Sequence, residues 1–208
     1  MPNVFQLSVK GFDNNYSYLV PGTGKRSKEA VLIDPTGSKE VVEGAIAKHG
    51  LRVALVLLTH SHPDHKELVS HFASKGIKVF EPKEARLGHV EQLEAAGLKI
   101  KAIHTPGHTK EGVCYLIGKN IFSGDTLFVR GIGTTAYGGD DKELKESLNF
   151  LASFSKTEKG LVLWPGHNYG GAHAPLLEAL SNSHVKPSDK ALEAIKKRVA
   201  EYEKGSLS

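Results

Sequence analysis

The sequence predicts an α/β fold in which two sheets are sandwiched between helical layers, on three observations. The chain opens on short β-branched or aromatic runs, two later apolar runs read as strands buried on both faces, and amphipathic helical stretches follow each group of strands.

In chain order, "VFQLSV", "NYSYLV" and "AVLID" are strand-like and are separated by the turn compositions "KGFDN" and "PGTGKRSK". "SKEVVEGAIAKHG" spaces Val41, Val42, Ala45 and Ile46 as one helical face, with Ser38 as N-cap and Gly50 as stop. "VALVLLT" is a buried strand that runs up to His60, and "HKELVSHFASKG" is an amphipathic helix followed by the strand "IKVF". "LKIKAIHTPGH", "GVCYLIG" and "NIFSGDTLF" read as strands joined by Gly- or Pro-containing turns. "DDKELKESLNFLASF" is a helix with an Asp140-x-x-Glu143 capping pattern, and "GLVLWPGH" is a last buried strand ending at His167. Leu192, Ile195, Val199 and Tyr202 then form one apolar stripe, so a C-terminal helix over about 187–204 is expected to pack on the body. A single domain over residues 1–208 is the expectation from length.

Composition excludes several classes of function. With 39% apolar and 24% charged residues, and no run of the roughly 18 apolar residues that a membrane span needs, a soluble protein without a membrane partner is expected. "MPNVFQLSVKGF" lacks the basic, apolar and cleavage segments of a leader, so the expected location is the cytoplasm. The one cysteine, Cys114, allows neither an internal disulfide nor a cysteine-rich zinc finger, and its strand context makes it a small core residue. A net charge of +4 is spread over lysines interleaved with glutamates, with no basic and aromatic cluster, so no nucleic-acid partner is expected. A small-molecule substrate is expected, and homodimerisation stays open.

The chemistry concentrates in "THSHPDH", "TPGHT", "SGDT" and "PGH", each behind a strand. Strand ends suit metal ligands because rigid backbone fixes them while the adjoining loops leave a coordination position free. His60 and His62 are two apart in extended chain and point the same way, whereas Asp64 and His65, past Pro63, aim at a second point. Asp125 has two carboxylate oxygens to bridge both points, and His108 and His167 complete one each. These seven donors suit two divalent ions such as zinc, iron or manganese, and a water between two such ions becomes a nucleophile near neutral pH. Asp64 and Asp125 are therefore the carboxylates given catalytic parts.

Among the other histidines, His49, His71, His89 and His184 read as surface residues, and His104 and His173 as supporting or structural. Tyr137 and Tyr169 follow Asp125 and His167 closely enough to line a substrate pocket. Ser61 and Ser123 lack the Gly-x-Ser-x-Gly context of an activated serine.

"THSHPDH", "TPGHT", "FSGDTLF" and "PGH" together resemble the signature of the metallo-β-lactamase fold, in its glyoxalase II-like branch, over the span from "FDNNYSYLV" to "WPGHNYGG". The resemblance implies a four-layer αββα sandwich with the site along one edge. It also implies one metal at His60, His62 and His108, another at Asp64, His65 and His167, and Asp125 bridging. Glyoxalase II carries a larger C-terminal helical region and a glutathione-holding lysine where Thr134 stands here, although Tyr169 matches a substrate-side tyrosine of that family.

"RGIGTTAYGGD", with Arg130 at its head, is similar to a segment shared by short glyoxalase II-like hydrolases and persulfide dioxygenases. Two functions follow from the resemblance. The first is a binuclear hydrolase of a small, acyl-glutathione-like thioester with Arg130, Tyr137 and Tyr169 on the substrate side. The second is a persulfide dioxygenase with one Fe(II) at His60, His108 and Asp125, an arrangement that leaves positions open for oxygen and a sulfur ligand.

Overall fold

Successive side chains of a strand point to opposite faces. In this chain one set fills the gap between two sheets while the other lies under helices. The computed structural model describes residues 3–183. One sheet takes β1 (Phe5–Ser8), β2 (Tyr16–Pro21), β3 (Glu29–Ile33), β4 (Arg52–Leu57) and β5 (Lys78–Phe80) in sequence order. Its first three strands pair antiparallel, and β3, β4 and β5 pair parallel. The other sheet has the order β11 (Ala174–Pro175), β10 (Val162–Pro165), β9 (Asn120–Gly124), β8 (Val113–Ile117), β7 (Leu98–His104), β6 (Val90–Ala95). Only its β9–β10 pair is parallel.

Tyr18, Val20, Val31, Ile33 and Leu57 of the first sheet meet Ile100, Ala102, Tyr115 and Phe122 of the second in an inner core. The alternate residues Leu19, Leu32 and Val56 pack under Val42 and Ile46 of α1 (Lys39–Lys48) and Phe72 of α2 (Val69–Ser74). On the far side Ile103, Cys114, Leu116 and Ile121 are covered by Leu144, Leu148 and Leu151 of α3 (Asp141–Thr157) and by Leu176 and Leu180 of α4 (Leu176–Asn182). Helix, sheet, sheet, helix is the layer order expected from the sequence.

The caps follow as well. The Ser38 side chain accepts from Val41 N at the start of α1, and Asp140 Oδ1 accepts from Lys142 N (2.8 Å) and Glu143 N (2.9 Å) at the start of α3. These bonds satisfy backbone donors that the first helical turn leaves without partners.

Expectation and structure differ at the start of α2 and at β6, and β11 and α4 add to the elements read from the sequence. The helix expected from His65 begins only at Val69, because Pro63–His65 close a 3-10 turn and Lys66 leaves the helical region at φ −132°. "VEQLEA" is a strand, β6, joined to β7 through Ala96 and Gly97, both at positive φ. An edge strand with alternating polar residues carries a weak apolar signal, and Ala-Gly is a less telling turn than Asn-Gly. The helix expected over about 187–204, and His184, lie outside the described residues. No helix of the described residues is long and apolar enough to cross a membrane.

Cys114 is fully buried in the outer core, and burial pushes its thiol up to about 11. The thiolate is the reactive form, so iodoacetamide is expected to label the native protein negligibly at pH 8 and fully in denaturant. Mass spectrometry of the alkylated peptide reads the difference, and rapid native labelling would contradict the burial.

Candidate metal centre

Strand direction brings the candidate residues together. β7 and β9 both run antiparallel to β8, and β10 is parallel to β9, so the carboxyl ends of β7, β9 and β10 share one edge. The carboxyl ends of β3 and β4 reach the same edge, as shown by Val113 N donating to Thr59 O (2.9 Å) and Tyr115 Oη donating to Leu58 O (2.5 Å). Tyr16 N donating to Gly166 O (2.8 Å) joins β2 to the loop after β10. The loops carrying His60, His108, Asp125 and His167 therefore converge.

Three donor groups have their ligating atoms within 4.8 Å of one another: His60, His62 and His108; Asp64, His65 and His167; and His60, His65 and Asp125. All seven residues singled out in the sequence are brought together in these sets. His108 Nε2 lies 3.1 Å from His62 Nδ1, and His65 Nε2 lies 3.2 Å from His167 Nε2. Two ligands at about 2.0–2.1 Å from one tetrahedral ion stand about 3.3 Å apart, so both spacings suit a shared ion. Asp64 Oδ2 is 3.5 Å from His167 Nε2 and 3.7 Å from His65 Nε2.

Asp125 spans the two sets. Its Oδ1 is 3.3 Å from His65 Nε2, while its Oδ2 is 3.2 Å from His167 Nε2 and 3.7 Å from His108 Nε2. Asp125 Oδ1 and His60 Nε2 are buried without a hydrogen-bond partner among the described residues. Buried polar atoms are normally satisfied. Two orphaned lone-pair atoms facing a cluster of imidazoles and carboxylates fit a cation, and the chemistry of the seven donors suits divalent metal.

Burial pushes His60 well below the ordinary histidine range, reinforced by His65, and burial likewise lowers His108, so both rings are neutral with a lone pair to offer. At the other set burial works the same way but is outweighed. The Asp125 carboxylate, with Asp34 beside His65, raises His65 and His167, so a metal entering there displaces protons. Burial also opposes ionisation of Asp125, yet the neighbouring His65 and His167 hold its carboxyl well below the usual carboxylate range.

Four of the five histidines of the centre are oriented through their other ring nitrogen. His60 Nδ1 pairs with Thr59 Oγ1 (3.0 Å), His65 Nδ1 with Asp34 Oδ2 (3.1 Å), His108 Nδ1 with the Thr134 carbonyl (2.7 Å) and His167 Nδ1 with the Asp13 carbonyl (2.9 Å). Asn15 Nδ2 donates to Asp64 Oδ2 at 3.1 Å. Sequence reasoning missed Asp34, although it too ends a strand, in "AVLID". Asp34 also accepts from Thr59 N (2.8 Å) and Thr59 Oγ1 (2.6 Å), which ties the His60 and His65 loops to β3. Such outer partners are worth about 10–100-fold in metal affinity. Asp34→Asn is therefore expected to weaken metal binding by about that factor, chiefly at the His65 set. Metal titration checks it, and an unchanged titration would remove Asp34 from the centre.

The substrate-side candidates divide between the two sets. Tyr137 is 76% exposed with its ring 6.4 Å from His62, whereas Tyr169 stacks on His167 at 5.2 Å and its hydroxyl donates to Asp13. Burial, then that bond to Asp13, pushes the Tyr169 phenol up. Arg130 is exposed beside Tyr169, whose carbonyl accepts from Arg130 N at 2.9 Å.

The remaining histidines are placed as follows. His49 is exposed and stacks on Phe5, and His173 is exposed and stacks on Trp164. His71, expected at the surface, is half-buried because it pairs with Glu43 at 2.6 Å. His104 is buried and pairs with Glu91, outside the seven-residue centre. Ser61 donates to Glu111 Oε1 at 2.6 Å, outside the seven-residue centre.

A family model described as the metallo-beta-lactamase superfamily matches residues 11–79 and 66–167. The chain is 30% identical over 181 residues to the probable hydroxyacylglutathione hydrolase glo2 of Schizosaccharomyces pombe, covering 79% of this chain and 68% of that protein. It is 32% identical over 197 residues to the hydroxyacylglutathione hydrolase of Xanthomonas axonopodis pv. citri, covering 90% and 72%. The solved structure of ETHE1 from Myxococcus xanthus matches with a TM-score of 0.73 at 27% identity, over 95% of this chain and 91% of that one. The matched stretches contain the convergent strand ends and all seven donors, and the chain belongs to the metallo-beta-lactamase superfamily.

Proposed function

We propose that this protein is a binuclear metal-dependent hydrolase acting on a small, acyl-glutathione-like thioester. The observation that carries the reading is the division of seven donors into two sets joined by Asp125, and the likeness to two hydroxyacylglutathione hydrolases supports the substrate class. His60, His62 and His108 would hold one ion, Asp64, His65 and His167 the other, with Asp125 between them. Zinc, iron and manganese all suit this donor set. Two bound divalent ions would supply a deprotonated water as nucleophile and would polarise the thioester carbonyl.

The chain's own residues orient and exclude. Asp125, held ionised by His65 and His167 against its burial, keeps one charge between the sets. Tyr137, beside His62, and Tyr169, stacked on His167 with Arg130 next to it, would position the acyl and thiol parts of the substrate. A cytoplasmic location belongs to the same reading, since the one cysteine is a buried free thiol.

The likeness to the ETHE1 structure supports a second reading, a one-iron persulfide dioxygenase using His60, His108 and Asp125. Metal analysis of protein from metal-supplemented cells, paired with assays of acyl-glutathione cleavage and of persulfide-dependent oxygen uptake, separates the two. Two ions per chain with thioester turnover are expected. One iron with oxygen uptake and no cleavage would overturn the hydrolase.

A further inference from the structure

We infer that His89, Glu91 and His104 form an additional divalent-metal site, of a chemistry that takes Zn2+ or a similar first-row ion, at the edge of the second sheet. The ligating atoms of the three lie within 4.8 Å of one another, and none belongs to the seven-residue centre. The site is built by the β6–β7 pairing, in which Val90 faces Ile103 and Glu91 faces Ala102. One residue further out, His104 N donates to His89 O (2.8 Å) and Gly88 N donates to His104 O (2.9 Å). His89 is thus held against His104, and Glu91, two residues on, returns to the same side.

Within the cluster His104 Nε2 and Glu91 Oε1 are 3.0 Å apart, and the His89 and His104 rings are 5.4 Å apart. An ordinary histidine-glutamate hydrogen bond accounts for that first pair and no more. Two further observations point to a ligand. The second imidazole, His89, stands beside a pair that does not need it, and the His104 ring is fully buried with Nδ1 lacking a hydrogen-bond partner among the described residues. Two histidines and one carboxylate are a sufficient donor set for zinc, with a position left for water. β6 is the edge strand, and its neighbour is β7. An ion shared by His89, Glu91 and His104 would clip that edge to the strand whose chain continues through Thr105, Pro106 and Gly107 to His108.

Equilibrium dialysis of the holoprotein against Zn2+, followed by metal analysis, compares wild type with His89→Ala and Glu91→Gln. His89 is exposed, so its truncation leaves the fold intact. Wild type is expected to hold one more ion per chain than either variant, and its thermal midpoint is expected to rise with added Zn2+ where theirs does not. The seven-residue centre is common to all three proteins, so the difference is independent of how many ions that centre takes. Equal stoichiometry in all three proteins overturns the site. So does loss in His89→Ala alone, because Glu91→Gln keeps both imidazoles and would show adventitious binding by an exposed ring.

Discussion

Asp125→Asn is expected to lower thioester turnover by on the order of 10^3-fold or more while leaving the fold in place. Charge stabilisation by bound metal is worth several kcal/mol in a transition state, at about 1.4 kcal/mol per tenfold in rate. The substitution keeps the shape of the side chain but replaces the anionic carboxylate with a neutral amide, whose nitrogen has no lone pair to offer a cation. Asp125 approaches His65, His108 and His167 within 3.7 Å, so under the proposed reading both donor sets would lose the same ligand. Metal content is expected to fall below two ions per chain, read by elemental analysis beside an unchanged far-ultraviolet circular dichroism spectrum. A variant with two ions and full turnover would show that Asp125 does not join the sets.

Gly166→Ala is expected to be nearly as damaging, although residue 166 carries no donor. A Cβ there would lie 2.2 Å from Asp125 Oδ1, 2.7 Å from His65 Cε1 and 3.1 Å from Gly124 C. Something must move, and the backbone is pinned on both sides. Gly166 N donates to Gly124 O (2.8 Å), and Tyr16 N donates to Gly166 O (2.8 Å). The added methyl therefore pushes on the Asp125 carboxylate and the His65 ring, displacing the residue that joins the two sets and one member of the Asp64, His65 and His167 set. Overpacking of this kind costs about 1–3 kcal/mol of stability, and misplacing a reacting geometry by about 1 Å costs about a hundredfold in rate. Thermal unfolding and metal titration read the two effects separately. Normal metal affinity in the Gly166→Ala variant would mean that the loop after β10 yields without disturbing the centre.

The two substitutions also mark how far the sequence reads. Asp125 is legible as a carboxylate behind a strand, and so are His60, His108 and His167, because each apolar run ends where a donor begins. The glycine of "PGH" is visible as a turn residue, but nothing in the letters says that its missing Cβ makes room for Asp125. Asp34 shows the same limit. It ends "AVLID" as the other donors end their strands, yet its partner His65 lies 31 residues on. The β6 strand was hidden because a polar edge strand has little apolar pattern to display, and the His89, Glu91 and His104 cluster was hidden with it.

The sequence by itself determined the layers and the donor list. Alternation and apolar run length are local properties, since a side chain two residues along a strand returns to the same face whatever else the protein does. Only the tertiary structure decided which donors meet, which ring nitrogens are held by Asp34, Thr134 and Asp13, and which buried atoms are left without a partner. Those outcomes depend on strand order and on the parallel pairing of β3 with β4 and of β9 with β10. That pairing brings residues far apart in the chain to one edge, and no local pattern encodes the distances between them.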